Sequence, residues 1–276
     1  IRKSNNGAQL KQIRDKVERL VHKYIAQEVA ISFITQVVSE INDEIIKQAI
    51  SITEHKLGKT IYKDIRYCWL ALGSEGREEQ LLRTDQDNAL IYDDDGTIPD
   101  IKQRCLQLAK EVTDILHEVG YEYCPADMMA SNPAWCQSID EWKKTFSQWI
   151  YQPGEQEIMM STIFFDYRPV FGDQSLSTSL TDFLFETLDK QEVFLHLLAK
   201  NALENPPPLS FFRQFIVEKN GEHKDSFDIK LRAMMPLTDA ARLLILSKRI
   251  SGENNTCKRF LALADTEPQN ADLYRM

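Results

Sequence analysis

Zinc-spaced cysteine pairs, clustered histidines and long runs of apolar or basic residues are all missing from this sequence. The five cysteines, Cys68, Cys105, Cys124, Cys136 and Cys257, are odd in number and widely spaced, so reduced thiols in a cytoplasmic protein are the expected state. His22, His55, His117, His196 and His223 are scattered and form no His-x-x-x-His or Cys/His cluster. A zinc site and a Ser-His-Asp hydrolase are therefore unsupported. No apolar stretch reaches the roughly 18 residues of a membrane span, and no signal-peptide pattern precedes the first helix. The net charge is −9 with no long Lys/Arg block, which argues against tRNA or RNA as a partner, since a nucleic-acid face normally shows as a basic patch. Repeats and low-complexity tracts are absent. The chain starts at Ile1 and stops after Leu273-Tyr-Arg-Met276, and so reads as a piece of something longer.

What is present fits a globular protein. A chain of 276 residues with 43% apolar and 27% charged residues has room for two domains, or for one domain with a helical appendage. From about Ala8 to Leu57 apolar residues recur at three- and four-residue steps, predicting a pair of amphipathic helices stopped by Gly58. Between about Ile61 and Asp173 the pattern is mixed. Tyr67–Leu72 and Asn88–Tyr92 read as strands, and Glu75–Leu82 as the first turns of a helix. Ile101–Val119 and Trp135–Ile150 read as amphipathic helices, and Ser161–Phe171 as a third strand. From Leu176 onward the chain is helical, with a break at Pro206-Pro-Pro208 and later helices over Leu231–Ile250 and Thr256–Ala264. Phe211-Phe-Arg-Gln-Phe215 reads as core rather than as a base-stacking platform.

The most informative stretch runs from Tyr67 to Tyr92. An apolar run ends in Gly73-Ser74, and after a charged spacer Asp85 and Asp87 open a second apolar run. Side chains alternate along an extended segment, so Asp85 and Asp87 project together while Gln86 faces away. Two carboxylates on one rigid element suit Mg²⁺, which takes one or two carboxylates plus substrate phosphates. Gly73 permits close backbone approach to a phosphate, and Ser74 offers a hydroxyl and an N–H near a helix N-terminus, where anions are favoured.

Gly73-Ser-Glu-Gly-Arg-Glu-Glu-Gln80, with Arg83-Thr-Asp-Gln-Asp-Asn-Ala-Leu-Ile-Tyr92, resembles the signature of the nucleotidyltransferase superfamily. It is most similar to bacterial nucleotidyltransferases related to the nitrogen-regulatory protein uridylyltransferases. Met128-Met-Ala-Ser-Asn-Pro-Ala-Trp135, Ile163-Phe-Phe-Asp-Tyr-Arg-Pro-Val-Phe-Gly172, and Phe227-Asp-Ile-Lys-Leu-Arg232 with Pro236-Leu-Thr-Asp-Ala-Ala-Arg242 fit the same family. Polar Gln86 and Asn88 depart from the wider superfamily, where those positions are usually apolar. The resemblance implies an α+β fold: a nucleotidyltransferase-type mixed sheet with helices, flanked by an N-terminal helical segment and a C-terminal helical bundle. The expected division is residues 1–60, 61–175 and 176–276. It also implies an NTP substrate, and upstream cyclic-nucleotide-binding and CBS sensor domains in the full-length protein.

Such transfer moves an α-phosphoryl group and releases pyrophosphate, and commonly uses two metals bound by three acids. Asp85 and Asp87 supply two. Asp166 reads either as the third, being an acid in an apolar segment, or as the salt-bridge partner of Arg168, which would otherwise face the phosphates. Arg77 and Arg83 read as phosphate contacts or as surface partners of Glu75, Glu78 and Glu79. Thr84 and Asn88 flank the acids and are placed to orient them. Asn132 reads as a turn or cap residue, which the resemblance puts at the edge of the site. Lys230 is either a triphosphate contact or a solvated lysine. The leading expectation is Mg²⁺- or Mn²⁺-dependent transfer of an NMP group from an NTP to a protein or small-molecule hydroxyl, in a signalling context. The alternatives are a catalytically silent nucleotide-binding regulatory module and a structural helical adaptor.

Overall fold

The computed structural model describes residues 1–81, 83, 85–204 and 228–275. Two compact units divide the chain: Ile1–Thr145 with Asp166–Phe183, and Phe146–Phe165 with Leu184–Met276. Pro206–Pro208, Phe211–Phe215, His223 and Thr84 lie outside the described residues.

The first unit opens with α1 (Gly7–Ala26) and α2 (Ile31–Leu57), followed by the single turn α3 (Lys59–Tyr62). Asn6 caps α1 by accepting from the Gln9 N–H at 3.0 Å. Gly58, at φ +102°, ends α2. The expected pair of amphipathic helices is present, and their apolar stripes meet through Val17, Val21, Ile34 and Val38.

Strand β1 (Tyr67–Ala71) leads into the four-residue turn α4 (Gly73–Gly76), and the chain returns as β2 (Asn88–Tyr92). Helix α5 (Ile101–Val119), the short strand β3 (Cys136–Ser138), α6 (Ile139–Tyr151), α7 (Glu155–Phe164), β4 (Arg168–Gly172) and α8 (Gln174–Leu188) follow. The sheet order is β3-β2-β1-β4: β1 runs antiparallel to β2 and β4, and β2 runs parallel to β3. Every residue of β1 and β2 is buried, as their continuous apolar runs require. Pro169 sits on edge strand β4, where a missing N–H costs least, next to a register shift opposite Trp69 and Leu70. Trp69, Leu90, Leu108, Val112 and Ile50 belong to one core joining the sheet to α2 and α5. The α+β fold with a mixed sheet among helices is therefore as expected.

Three local expectations are corrected. The segment after Gly73 forms one helical turn rather than a helix over Glu75–Leu82, because Glu78 adopts φ +59° and reverses the chain. Residues 136–138 form a parallel strand before α6, where a continuous helix over Trp135–Ile150 was expected; three residues are too few to show a period. Ser161 to Phe164 belong to helix α7 rather than to a strand. The mostly apolar stretch Ile158–Phe165, broken by Ser161 and Thr162, carries no usable alternation, while Glu155 and Glu157 in the first turn favour a helix start.

In the second unit Phe146, Trp149, Phe164, Phe165 and Phe194 pack ring against ring, Phe146 stacked on Trp149 and the other pairs edge to face or tilted, with centroids 5.0–6.4 Å apart. Phe194 lies on α9 (Glu192–Glu204). A π-helical turn, Lys230–Met234, leads into α10 (Met235–Lys248), then α11 (Thr256–Thr266) and the short α12 (Ala271–Tyr274). Arg242 donates to Asp239 at 2.6 Å within α10, and both are buried. No helix among the described residues is long and apolar enough to cross a membrane.

Gly76 tests how tightly the first unit is closed. A Cβ there would stand 2.2 Å from the Asp166 carbonyl oxygen and 2.8 Å from that of Ala71, both fixed backbone. Gly76→Ala should lower stability in urea by about 3 kcal/mol; an unchanged midpoint would show that residue 166 can move off the end of β1.

Candidate active site

The site is built where β1 ends and β2 begins. Ala71 pairs with Asn88, and the Leu72 N–H donates to the Asp87 carbonyl at 2.9 Å, so Gly73 and Asp87 are held side by side. Gly73 takes φ +54°, and a Cβ on it would stand 3.1 Å from Asp87 Oδ2. Only a residue without a side chain leaves backbone open next to that carboxylate. The turn is closed by Gly76 N–H to Leu72 O at 2.9 Å and Arg77 N–H to Gly73 O at 3.0 Å. One turn sums to little macrodipole, so anion binding here would rest on local N–H groups rather than on a long helix, contrary to the expectation of a helix reaching Leu82.

Asp85, Gln86 and Asp87 are extended beside residues 122–124. Asp85 forms a parallel bridge with Glu122, and the Gln86 N–H donates to Glu122 O at 2.9 Å. The Gln86 side chain is buried, and its amide donates to the Thr113 and Tyr121 carbonyls at 3.1 Å each. With Gln86 inward, alternation leaves Asp85 exposed and Asp87 half-buried on the other face, as the spacing predicts. The same parallel register that pairs 85 with 122 brings residue 124 level with residue 87. Ligand-capable atoms of Asp85, Asp87 and Cys124 all lie within 4.8 Å of one another. Two carboxylates and a thiol, with an open glycine backbone against one of them, are a donor set that fits a divalent cation.

The remaining sequence-predicted residues fall in several places. Ser74 is half-buried in the turn. Asn88 is buried, and its Oδ1 accepts from the Ala130 N–H at 2.8 Å while its own N–H donates to Met128 O at 3.0 Å; it thus fastens the loop that follows Cys124. Asp166 is fully buried in the turn before β4, not on a strand, and accepts from Arg77 Nη1 at 2.9 Å. It is not part of the compact Asp85–Asp87–Cys124 set. Arg77 also donates from Nε to Glu79 at 2.8 Å. Arg168, weighed as the partner of Asp166, instead makes two bonds to Asp43 of α2, at 2.7 and 2.8 Å. Arg83 is held by Glu18 of α1 through two bonds of 2.7 Å, by Asp15 at 2.9 Å and by the Val119 carbonyl at 2.9 Å. Asn132 forms a local turn, accepting from the Ala134 N–H and donating to Asp127. Lys230 is exposed in the second unit.

Two participants were missed from sequence. Cys124 had been read only as a reduced thiol, because nothing in a single sequence announces that residues 122–124 run beside 85–87. Glu75 had been read as a surface partner of arginine. Although the residue keeps some solvent contact, its carboxyl group is enclosed, and burial pushes it up to about 8. The charges of Asp43 and Asp87 add to the rise, and those of Arg168 and Arg14 oppose it.

A buried polar network fixes this segment to the helices. Arg14 Nε donates to the Tyr121 hydroxyl at 3.1 Å and Nη2 to Leu81 O at 3.0 Å. The Tyr121 hydroxyl donates to Asn42 Oδ1 at 2.7 Å, and Asn42 Nδ2 to Gln80 at 3.4 Å.

The Glu75 shift has a sign that can be measured. Between the ordinary carboxyl value of 4.5 and about 8 the folded protein keeps a proton that the unfolded chain has released. Its contribution to stability is therefore fullest below the lower value and is lost as pH rises through the upper one. Urea midpoints of metal-free protein from about pH 5 to about pH 8 should decline, and Glu75→Gln should flatten that decline. A decline unchanged in the variant would assign it to another group.

A family model described as "Putative nucleotidyltransferase DUF294" matches residues 15–156, and a second, described as "Putative nucleotidyltransferase substrate binding domain", matches residues 192–275. No curated protein matches the chain.

Proposed function

We infer the function from one premise: the chain belongs to the DUF294 nucleotidyltransferase family. The resemblance carried by Gly73–Tyr92 and the later segments is thereby borne out, and nucleotidyl transfer is the reaction class of the family. Beyond that class, we propose transfer of an NMP group from an NTP to a hydroxyl of a protein or small molecule, dependent on Mg²⁺ or Mn²⁺. The observation that carries this reading is the open Gly73 backbone 3.1 Å, measured from its would-be Cβ, from the carboxylate of Asp87.

A divalent ion held there would neutralise triphosphate charge and favour the attacking alkoxide. The chain's own residues do the positioning. Asp85 and Asp87 hold the cation, while Gly73 and Ser74 present N–H groups and a hydroxyl to the phosphates. Asp166, rather than serving as a third metal ligand, orients Arg77 toward the same turn, and Asn88 keeps the 124–130 loop in register beneath Asp87. Thr84 and Lys230 stay assigned to the nucleotide on the sequence motif alone.

In functional terms residues 61–175 carry the chemistry and residues 176–276 bind substrate, which the second family description supports. Residues 1–60 connect to sensor domains, such as CBS modules, in a signalling context. That last assignment is favoured by the hold of α1 and α2 on Arg83 and Arg168. The same observation favours the alternative reading, a module that binds nucleotide without transferring it. Arg77, Arg83 and Arg168, all assigned to phosphates from sequence, are engaged by carboxylates of the chain itself.

Calorimetric titration of each NTP, with and without Mg²⁺, separates these readings. Asp85→Asn/Asp87→Asn should weaken metal-dependent binding by about a hundredfold or more and abolish pyrophosphate release, with the melting transition retained. Wild-type pyrophosphate release by that variant would sink the transferase assignment. Metal-dependent binding with no release across a panel of acceptors would favour the silent module.

A further inference from the structure

Beside the edge strand β3 a cavity of about 260 Å³ is lined by Lys102, Pro133, Gln137, Glu141, Lys144 and Thr145. All six residues belong to the first unit, and the proposed transfer reaction uses none of them. Lys102 lies in the first turn of α5, Gln137 on β3, and Glu141, Lys144 and Thr145 in the first two turns of α6. β3 ends the sheet, so its outer edge has no further strand to cover it. The volume falls just below the range of small-molecule sites, about 300–1,000 Å³. It suits a small ligand rather than a nucleotide.

The wall is rich in spare donors and poor in spare acceptors. Glu141 is the one acid among the lining residues, and its carboxylate is already committed. Its Oε1 accepts from Lys102 at 3.2 Å, and its Oε2 from the Ser138 N–H at 2.9 Å and the Tyr92 hydroxyl at 3.4 Å. Gln137 is fixed as well: its Oε1 accepts from the Thr145 hydroxyl at 3.0 Å and its Nε2 donates to the Ala134 carbonyl. One N–H of that amide and two of the Lys102 ammonium are left over. Lys144 adds three more, because among the described residues no acid pairs with it, although Asp140 stands one turn before it on α6. In a chain of net charge −9, two cations and a fixed amide around one cavity are a local exception. A merely solvated lysine needs neither the cavity nor the amide.

We propose that this cavity binds a small organic anion through a phosphate or carboxylate group, with Lys102 and Lys144 as counter-charges and the Gln137 amide as the orienting donor. Charge-assisted hydrogen bonds from ammonium to oxyanion supply the attraction. Lysine recognises charge without the planar fork of arginine, so this wall selects an oxyanion rather than one oxyanion geometry. Binding is non-covalent and needs no metal. It stands independently of the Asp85–Asp87 reading and gives the first unit a second ligand.

The test is calorimetric titration of inorganic phosphate and, separately, of succinate into the whole chain, with a chelator present and chloride holding the ionic strength constant. At least one probe should bind saturably at one equivalent, and more weakly as salt is raised. Lys144→Gln and Lys102→Gln should each weaken that binding by about tenfold or more. Carbon-13 at the lysine ε-carbons locates the ion: the two signals that these variants delete should shift to saturation while the other lysines stay in place. Saturation by phosphate alone, by succinate alone or by both supports the site and names the group it takes. Lys144 is exposed, so its variant should keep the fold. If Lys102→Gln loses stability along with its Glu141 pair, the Lys144 result and the ε-carbon shifts decide. No saturable binding of either probe, binding unchanged by Lys144→Gln, or equal shifts at every lysine would overturn the proposal. Phosphate held instead at the Gly73 turn would shift neither lysine, and that too would overturn it.

Discussion

The hydrogen bond from the Leu72 N–H to the Asp87 carbonyl, at 2.9 Å, is the constraint on which the site depends. It continues the β1/β2 ladder one step past Ala71 and Asn88 and so fixes which residue faces Gly73. Side-chain alternation has a period of two, so a slip of one residue would present Gln86 and withdraw Asp87. Two features oppose such a slip. All five residues of each strand are buried, and the Gln86 amide is bonded to two carbonyls inside the core. The acids thus stay at the surface because the glutamine between them is anchored within.

Charge is the second organising feature of this unit. Asp43, Glu75, Asp85, Asp87 and Asp166 gather around the Gly73 turn or in the segments that support it, and arginines bond Asp43 and Asp166 among them as well as acids of the neighbouring segments. Arg168 bonds Asp43 twice, Arg77 bonds Asp166 and Glu79, and Arg83 bonds Asp15 and Glu18. Such pairs serve position more than net stability, since desolvation offsets much of their attraction. Together with the Arg14–Tyr121–Asn42–Gln80 network they bind α1 and α2 to the very segments that carry the acids. The raised Glu75 carboxyl reflects its burial first, with the charges of Asp43 and Asp87 adding to the rise.

Much of this arrangement was legible in the sequence. The strands Tyr67–Ala71 and Asn88–Tyr92, the helix Ile101–Val119 and the facing of Asp85 and Asp87 away from Gln86 all follow from periodicity and punctuation. These signals are local, and local signals survive in a single chain. What was not legible was every contact set by distant segments. Nothing near Arg168 points to Asp43, 125 residues away, and nothing near Arg83 points to Glu18, 65 residues away. Cys124 entered the site through a parallel pairing of two irregular segments, which leaves no pattern in composition. Residues 158–165 misled because a mostly apolar run broken only by Ser161 and Thr162 shows neither a clear helical nor a clear strand period.

The distribution of arginines bears on how a triphosphate could be received. A site that reserved free guanidinium groups for phosphate would attract a bare nucleotide and add the metal afterwards. Here the arginines that sequence assigned to that task already serve carboxylates of the fold, and the open face beside Gly73 presents Asp85 and Asp87. A bare triphosphate approaching that face meets like charge, which at contact distance outweighs the few N–H dipoles of a single turn. Neutralisation must then arrive before the nucleotide or with it. In the transfer reaction proposed above, a bound cation would turn a face that repels phosphate into one that can receive it.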